Sequence, residues 1–206
     1  MLKNALRVAM SQIIRIKDDE WEAFEPFIEL KRFKKRDNYV SDSQICREVG
    51  FILRGSFRQY CIMEGEEKTT FFYFENQFVT NYESFVNQSP SNVTIEAMED
   101  VQLLTFNKET LDRLYRLYPV FETFGRLIAE NVYICAMHRL NTFLLNTPEQ
   151  RYLHFLKSDD SKIILENVPQ HYIASYLGIT PVSLSRIRNR ITRSVDSKVK
   201  DVRLKM

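Results

Sequence analysis

The residues with the clearest chemical prospects lie in Gln170–Ile191, QHYIASYLGITPVSLSRIRNRI, where arginines crowd the stretch that follows a single glycine. Arginine is the side chain best suited to bidentate contact with guanine, and a helix carrying it fits a major groove. The spacing says which residues such a helix would offer. Ile173 and Leu177 recur at helical spacing as an inward face, with Ala174 small enough to let a second helix approach. Pro169 suits a first helical turn, and Gly178 suits the left-handed turn that ends the helix. Thr180-Pro181 is an N-cap and first-turn signal for a second helix whose buried face is Leu184, Ile187 and Ile191. Two helices joined by so short a turn must cross steeply, as in a helix-turn-helix unit. The second helix then turns Pro181, Val182, Ser183, Ser185, Arg186, Asn189 and Arg190 outward, with free N–H groups and the positive dipole end at its start.

Other chemistry is thinly provided for. Cys46, Cys61 and Cys135 are widely spaced and form no C-x-x-C pair. A structural zinc or iron–sulfur site normally takes about four ligands at close spacing, so these thiols read as packed or idle. No catalytic residue, metal or cofactor is expected.

Charge separates the two ends of the chain. Residues 1–138 carry 17 Lys and Arg against 21 Asp and Glu, whereas residues 139–206 carry 12 against 6, with the excess after Val168. A basic C-terminal end suits a polyanionic partner. Hydrophobic content of 44% and charged content of 27% are those of a globular protein. No run approaches the roughly 18 apolar residues of a membrane span, and the N-terminus lacks the apolar core of a signal peptide. The expected location is cytoplasmic, without a membrane partner.

The elements that must position these residues can be read in order. Ile13, Ile14, Trp21, Phe24, Phe27 and Ile28 predict a helix over residues 11–30. From 31 to 106 short apolar runs alternate with turns. GFILRGSFRQYCIM and EGEEKTTFFYF read as two strands joined by a glycine-containing turn, and QFVTNY, NVTIEAM and VQLLTFN as further strands. Such a succession predicts an antiparallel barrel or sandwich. Phe72, Phe74, Phe78 and Tyr82 read as barrel core or as the lining of an apolar pocket. Cupin-type metal chemistry in such a barrel wants several histidines, and residues 31–106 contain none. Asn107 caps a helix over KETLDRLYRLY, and Pro119 opens a longer one to about Asn146. Along it Val120, Phe124, Leu127, Asn131, Ile134, His138, Asn141 and Leu145 recur at steps of three and four. This reads either as an amphipathic helix lying on the chain's own barrel or, as the polar residues in the stripe favour, as a two-fold seam in which those positions fix register. Nothing near His138 completes a haem site. Thr147-Pro148-Glu149 starts another helix, Ile163–Val168 reads as a short strand, and the tail from Ser194 shows no helical face.

At this point the chain resembles, over about residues 10–192, the Crp/Fnr family of bacterial transcription regulators, and in detail a divergent branch common in Bacteroidetes-type bacteria. The resemblance rests on GFILRGSFRQY…GEEKT with Gly55 at the family's turn, on TPEQRYLHFL, and on the helix-turn-helix. It implies an α+β fold: an N-terminal antiparallel β-barrel of jelly-roll, cyclic-nucleotide-binding type (1–118), a long dimerisation helix (119–146), and a C-terminal winged helix-turn-helix (147–206). It further implies a homodimer on a near-palindromic double-stranded DNA operator, with RNA polymerase as a partner and a small molecule of unknown identity as effector.

Two departures stand out. The family's Gly-Glu-Leu and Arg-Ser/Thr-Ala cassette, which holds a cyclic phosphate and its ribose, aligns with Thr80-Asn81-Tyr82 and Ser91-Asn92-Val93. The carboxylate and guanidinium are both missing, and with them the charge-assisted contacts, so cyclic AMP is not expected as a ligand. The family's Arg-Glu at the start of the reading helix is replaced by Pro181-Val182, and only Arg186 is kept. Arg186 is therefore the expected guanine contact, with Val182 against a thymine methyl and Ser183 and Ser185 reaching bases or phosphates. Gln170 and His171 would sit near the backbone, and Thr180, Asn189 and Arg190 complete the DNA-binding set. The rival reading is a ligand-binding or scaffold protein of this fold whose helix-turn-helix is non-functional.

Overall fold

A computed structural model describes residues 2–203, with side chains to Arg193. The chain divides into two compact units, Met1–Ala136 and Met137–Met206.

The first unit opens with α1 (Leu2–Ser11), which buries Leu6 and Met10. The single helix predicted over residues 11–30 is instead a turn, a second helix α2 (Asp18–Phe24), a 3-10 turn (Glu25–Phe27) and a first strand β1 (Glu29–Phe33). The reason is local. The Glu20 carboxylate accepts the Lys17 amide at 2.8 Å, and Asp18, Asp19 and Glu20 complement the dipole of a new helix start. Pro26 then cuts the helix short.

Strands β2 (Asn38–Val40), β3 (Glu48–Arg54), β4 (Phe57–Met63), β5 (Glu66–Tyr73), β6 (Phe78–Val79), β7 (Thr94–Ala97) and β8 (Val101–Asn107) follow, with α3 (Tyr82–Asn87) between β6 and β7. They form two antiparallel four-stranded sheets ordered β1-β8-β3-β6 and β2-β7-β4-β5. The run Gly50–Met63, one strand by its apolar pattern but with a turn at Gly55 by the resemblance, is two strands in different sheets. Gly55 makes the corner at φ +93°, and a Cβ there would stand 2.7 Å from the Asp100 carbonyl oxygen. Phe51, Ile52, Phe57, Ile95, Leu103 and Leu104 fill the core, and Phe24 closes it edge-on to Phe106 and Phe121. Phe78 is partly buried and packs against the core at Phe51 and Phe124, at 5.2 and 5.6 Å. Phe72 and Phe74 are buried, whereas Tyr82 is exposed.

Asn107 caps α4 (Lys108–Leu117), its side-chain oxygen accepting the Thr110 amide at 2.8 Å. Helix α5 (Pro119–Leu145) follows. In the second unit Thr147 and Gln150 form a reciprocal capping box at the start of α6 (Pro148–Leu156). The strand expected at Ile163–Val168 is instead part of α7 (Ser161–Asn167) and its C-cap. Ile164 and Val168, four apart, are its buried pair, and the Val168 amide donates to the Ile164 carbonyl at 2.9 Å. Two further helices complete the unit, α8 (Gln170–Tyr176) and α9 (Pro181–Arg203). Pro169 stands at the cap of α8 rather than within its first turn. Among the described residues no strand follows β8, so the expected wing is not seen. The tail from Ser194, expected to be non-helical, continues α9 to Arg203, because no Gly or Pro stops it. Residues 204–206 lie outside the described residues.

Candidate nucleic-acid interface

The α8–α9 pair is built as the spacing required. Ile173, Ala174 and Leu177 are buried on α8, as are Leu184 and Ile187 on α9, and Ile191 is half-buried. Gly178 carries the turn at φ +65°, and the Ile179 amide closes back onto the Ala174 carbonyl at 3.0 Å. Thr180 caps α9, its hydroxyl accepting the Ser183 amide at 3.2 Å. Burying one stripe of α9 forces the opposite one outward. Pro181, Val182, Ser185, Arg186, Asn189 and Arg190 are exposed and Ser183 is half-exposed. Gln170 and His171 are exposed at the start of α8.

Arg186, Asn189, Arg190 and Arg193 share one exposed face of α9. Arg193 stands seven residues after Arg186, and helical spacing extended by one step would have added it to the predicted face. Arg190 is already paired, donating to the Glu149 carboxylate at 2.7 Å. No short-range pattern links residues 41 apart. The same holds for Arg139, Phe143, Arg151 and Tyr176, which gather behind the turn. The Arg139 guanidinium lies over the Tyr176 ring at 3.9 Å and the Phe143 ring at 4.9 Å, and the Arg151 guanidinium lies over the same Phe143 ring at 5.0 Å. Burial pulls the Arg139 pKa below its usual value.

In the first unit the positions aligned with the phosphate cassette satisfy one another. The Asn81 amide donates to the Ser91 hydroxyl at 2.6 Å, which donates in turn to the Val93 carbonyl at 2.6 Å, while Asn81 caps α3. Asn81 and Ser91 are buried, and Tyr82 and Asn92 are exposed. Thr80 bonds to the Glu48 carbonyl at 3.1 Å and lies 3.2 Å from the Cys46 thiol. Tyr73 fills the adjacent interior, donating to Gln59 at 2.8 Å, and Tyr39 donates to the Glu48 carbonyl at 2.8 Å. Burial raises both phenols well above the ordinary tyrosine value.

The predicted seam divides. Phe124 is buried in the chain's own core and Val120 and Leu127 pack against it, so those three are taken up by the first unit. Asn131, Ile134, His138, Asn141 and Leu145 are exposed, Ile134 by 51% and Leu145 by 76%. Around them Val132, Tyr133, Leu140 and Leu144 are exposed too.

Residues 30–118 match the family model of the cyclic nucleotide-binding domain. The fold is similar to that of several solved proteins at low identity. FixK2 of Bradyrhizobium japonicum is similar at 15% identity, over 81% of this chain and 85% of that one, with a TM-score of 0.68. A mutant of CooA from Carboxydothermus hydrogenoformans is similar at 17% identity, over 82% and 78%, with a TM-score of 0.65. CLP of Xanthomonas campestris, a c-di-GMP-responsive global regulator, is similar at 14% identity, over 86% and 93%, with a TM-score of 0.63. No curated protein sequence matches the chain. No helix among the described residues is long and apolar enough to cross a membrane.

Proposed function

We propose that this chain is a homodimeric, sequence-specific DNA-binding transcription regulator of the cytoplasm. Residues 1–118 form its sensor-type domain, 119–146 its dimerisation helix and 147–206 its DNA-binding domain. The observation that carries the reading is α9. A capped helix after a left-handed glycine buries Leu184 and Ile187 and turns Arg186, Asn189 and Arg190 to solvent together. Arg186 contacts guanine, Val182 a thymine methyl, and Ser183, Ser185, Asn189 and Arg190 share bases and phosphates with Gln170, His171 and Thr180. The exposed run of α5 from Asn131 through Ile134, His138 and Asn141 to Leu145 joins two copies, which places two reading helices on a near-palindromic site. A change in the barrel then re-aims them by moving these helices, and RNA polymerase is the downstream partner.

Cyclic AMP is not the signal. With Asn81 and Ser91 bonded to each other, neither a carboxylate for the ribose nor a guanidinium for the phosphate is on offer. Any small effector is of a different chemistry. The test is a mobility shift with genomic DNA fragments. The wild type shifts a subset of fragments, salt weakens the shift, and Arg186→Ala lowers affinity for that subset about tenfold or more, as expected for one lost bidentate contact. Absence of any shift by the wild-type dimer overturns the reading in favour of a scaffold.

A further inference from the structure

The turn that launches α9 is gripped from behind by side chains of α5 and α6. Arg139 lies in the second-last turn of α5. Its Nη2 donates to the Tyr176 carbonyl at 2.9 Å, while its guanidinium plane covers the Tyr176 ring at 3.9 Å and the Phe143 ring at 4.9 Å. The last four carbonyls of a helix lack partners within it, so Arg139 serves as a side-chain cap for the end of α8. On the other side Arg151 of α6 covers Phe143 at 5.0 Å and reaches the Gly178 carbonyl at 3.5 Å. Phe143 itself presses on the turn: a Cβ on Gly178 would stand 2.7 Å from its Cε1. Thr180, the cap of α9, lies two residues further on. Two arginines and one aromatic ring thus fix both ends of a segment of three residues, Tyr176 to Gly178.

We infer that Arg139 is a positioning residue for DNA reading: stacked on Phe143 and Tyr176, it makes the α8–α9 turn follow the last turns of α5. This rests on the reading that α9 contacts DNA. The coupling depends on a planar cation. A lysine keeps the charge but can neither stack on two rings nor hold the carbonyl in the same plane. None of the clamp residues belongs to the DNA-facing set. Loss of the clamp therefore leaves phosphate attraction intact and blurs the aim.

The test uses the full chain and a duplex that the wild type selects from a random-sequence pool. Arg139→Lys and Arg139→Ala are each expected to reduce preference for the selected over the unselected duplex about tenfold, comparable to one lost base-pair contact. Affinity for the unselected duplex and its salt dependence stay unchanged. Phe143→Ala has the same effect, and combining it with Arg139→Ala adds little. Without DNA, amide exchange at Gly178, Ile179 and Ser183 accelerates in every variant while the rest of α9 keeps its protection. Arg139→Lys guards against simple misfolding: its unfolding should stay a single cooperative transition, with the midpoint lowered by only several degrees for the lost stacking. Retained preference in Arg139→Lys, additive losses in the double variant, or unchanged exchange at the turn would each overturn the inference. A wild type that selects no duplex overturns the DNA reading first, and the exchange measurement then still reports whether the clamp holds the turn.

Discussion

Gly178→Ala offers a test of the turn whose size can be worked out. Alanine at φ +65° meets the left-handed penalty, about 1 kcal/mol, partly offset because alanine also narrows the unfolded ensemble. The new Cβ would also stand 2.7 Å from Phe143 Cε1, closer than carbon atoms tolerate. Phe143 cannot simply swing away, because Arg139 and Arg151 stack on it. Moving the ring loosens those contacts, each worth about 0.5–2 kcal/mol depending on exposure. The expected total is about 2–3 kcal/mol. In a unit of this size that lowers the melting midpoint by roughly 10 °C, read as helical circular dichroism against temperature. The Phe143→Ala background separates the two parts: with the ring gone, Gly178→Ala should cost only about 1 kcal/mol, the backbone part alone. An equal cost in both backgrounds would mean that the ring does not bear on the turn, and the packing argument would fail.

Two further outcomes follow from the same geometry. Ile134→Asp puts a charge into the exposed stripe of α5, so it should weaken self-association by about a hundredfold or more in sedimentation velocity while changing protomer stability by less than about 0.5 kcal/mol; unchanged association would remove the proposed seam. Asn81→Ala deletes both the cap of α3 and the bond to Ser91, and should cost about 1–2 kcal/mol in urea unfolding. A neutral result there would mean that the Asn81–Ser91 bond is not what closes the old cassette.

The parts legible in the sequence are those fixed by neighbours in sequence. The caps at Asn107, Thr147 and Thr180, the glycine turn at 178 and the buried stripe of α9 are all local grammar, and each stands where the spacing put it. The misreadings share a different cause. One strand across Gly55 became two because the corner is set by a contact with Asp100, 45 residues away. Val120, Phe124 and Leu127 fit a seam by periodicity, but the chain's own core reached them first. Ile163–Val168 is apolar enough for either element, and the buried pair Ile164 and Val168, four apart, would share a face in a helix and in a strand alike, so periodicity did not decide between them. The clamp on Gly178 left no mark at all, since it joins α5, α6 and α8 through side chains that look like ordinary surface arginines.

The same contrast bears on how a signal could enter. In a cassette that binds a cyclic phosphate, the charged groups are spare until the ligand arrives; here Asn81, Ser84 and Ser91 are spent on one another and on the backbone. Thr80, Cys46, Tyr39 and Tyr73 likewise find partners inside the first unit. A ligand entering there would have to break several buried hydrogen bonds before making any, each worth about 1 kcal/mol net and more if a group is left unpaired. Its binding would be weak unless it were largely apolar and displaced side chains rather than polar bonds. Titrating cyclic AMP against the full chain should accordingly give no heat and no shift in melting at millimolar ligand. A saturable stabilisation there would overturn the claim that the pocket has closed on itself.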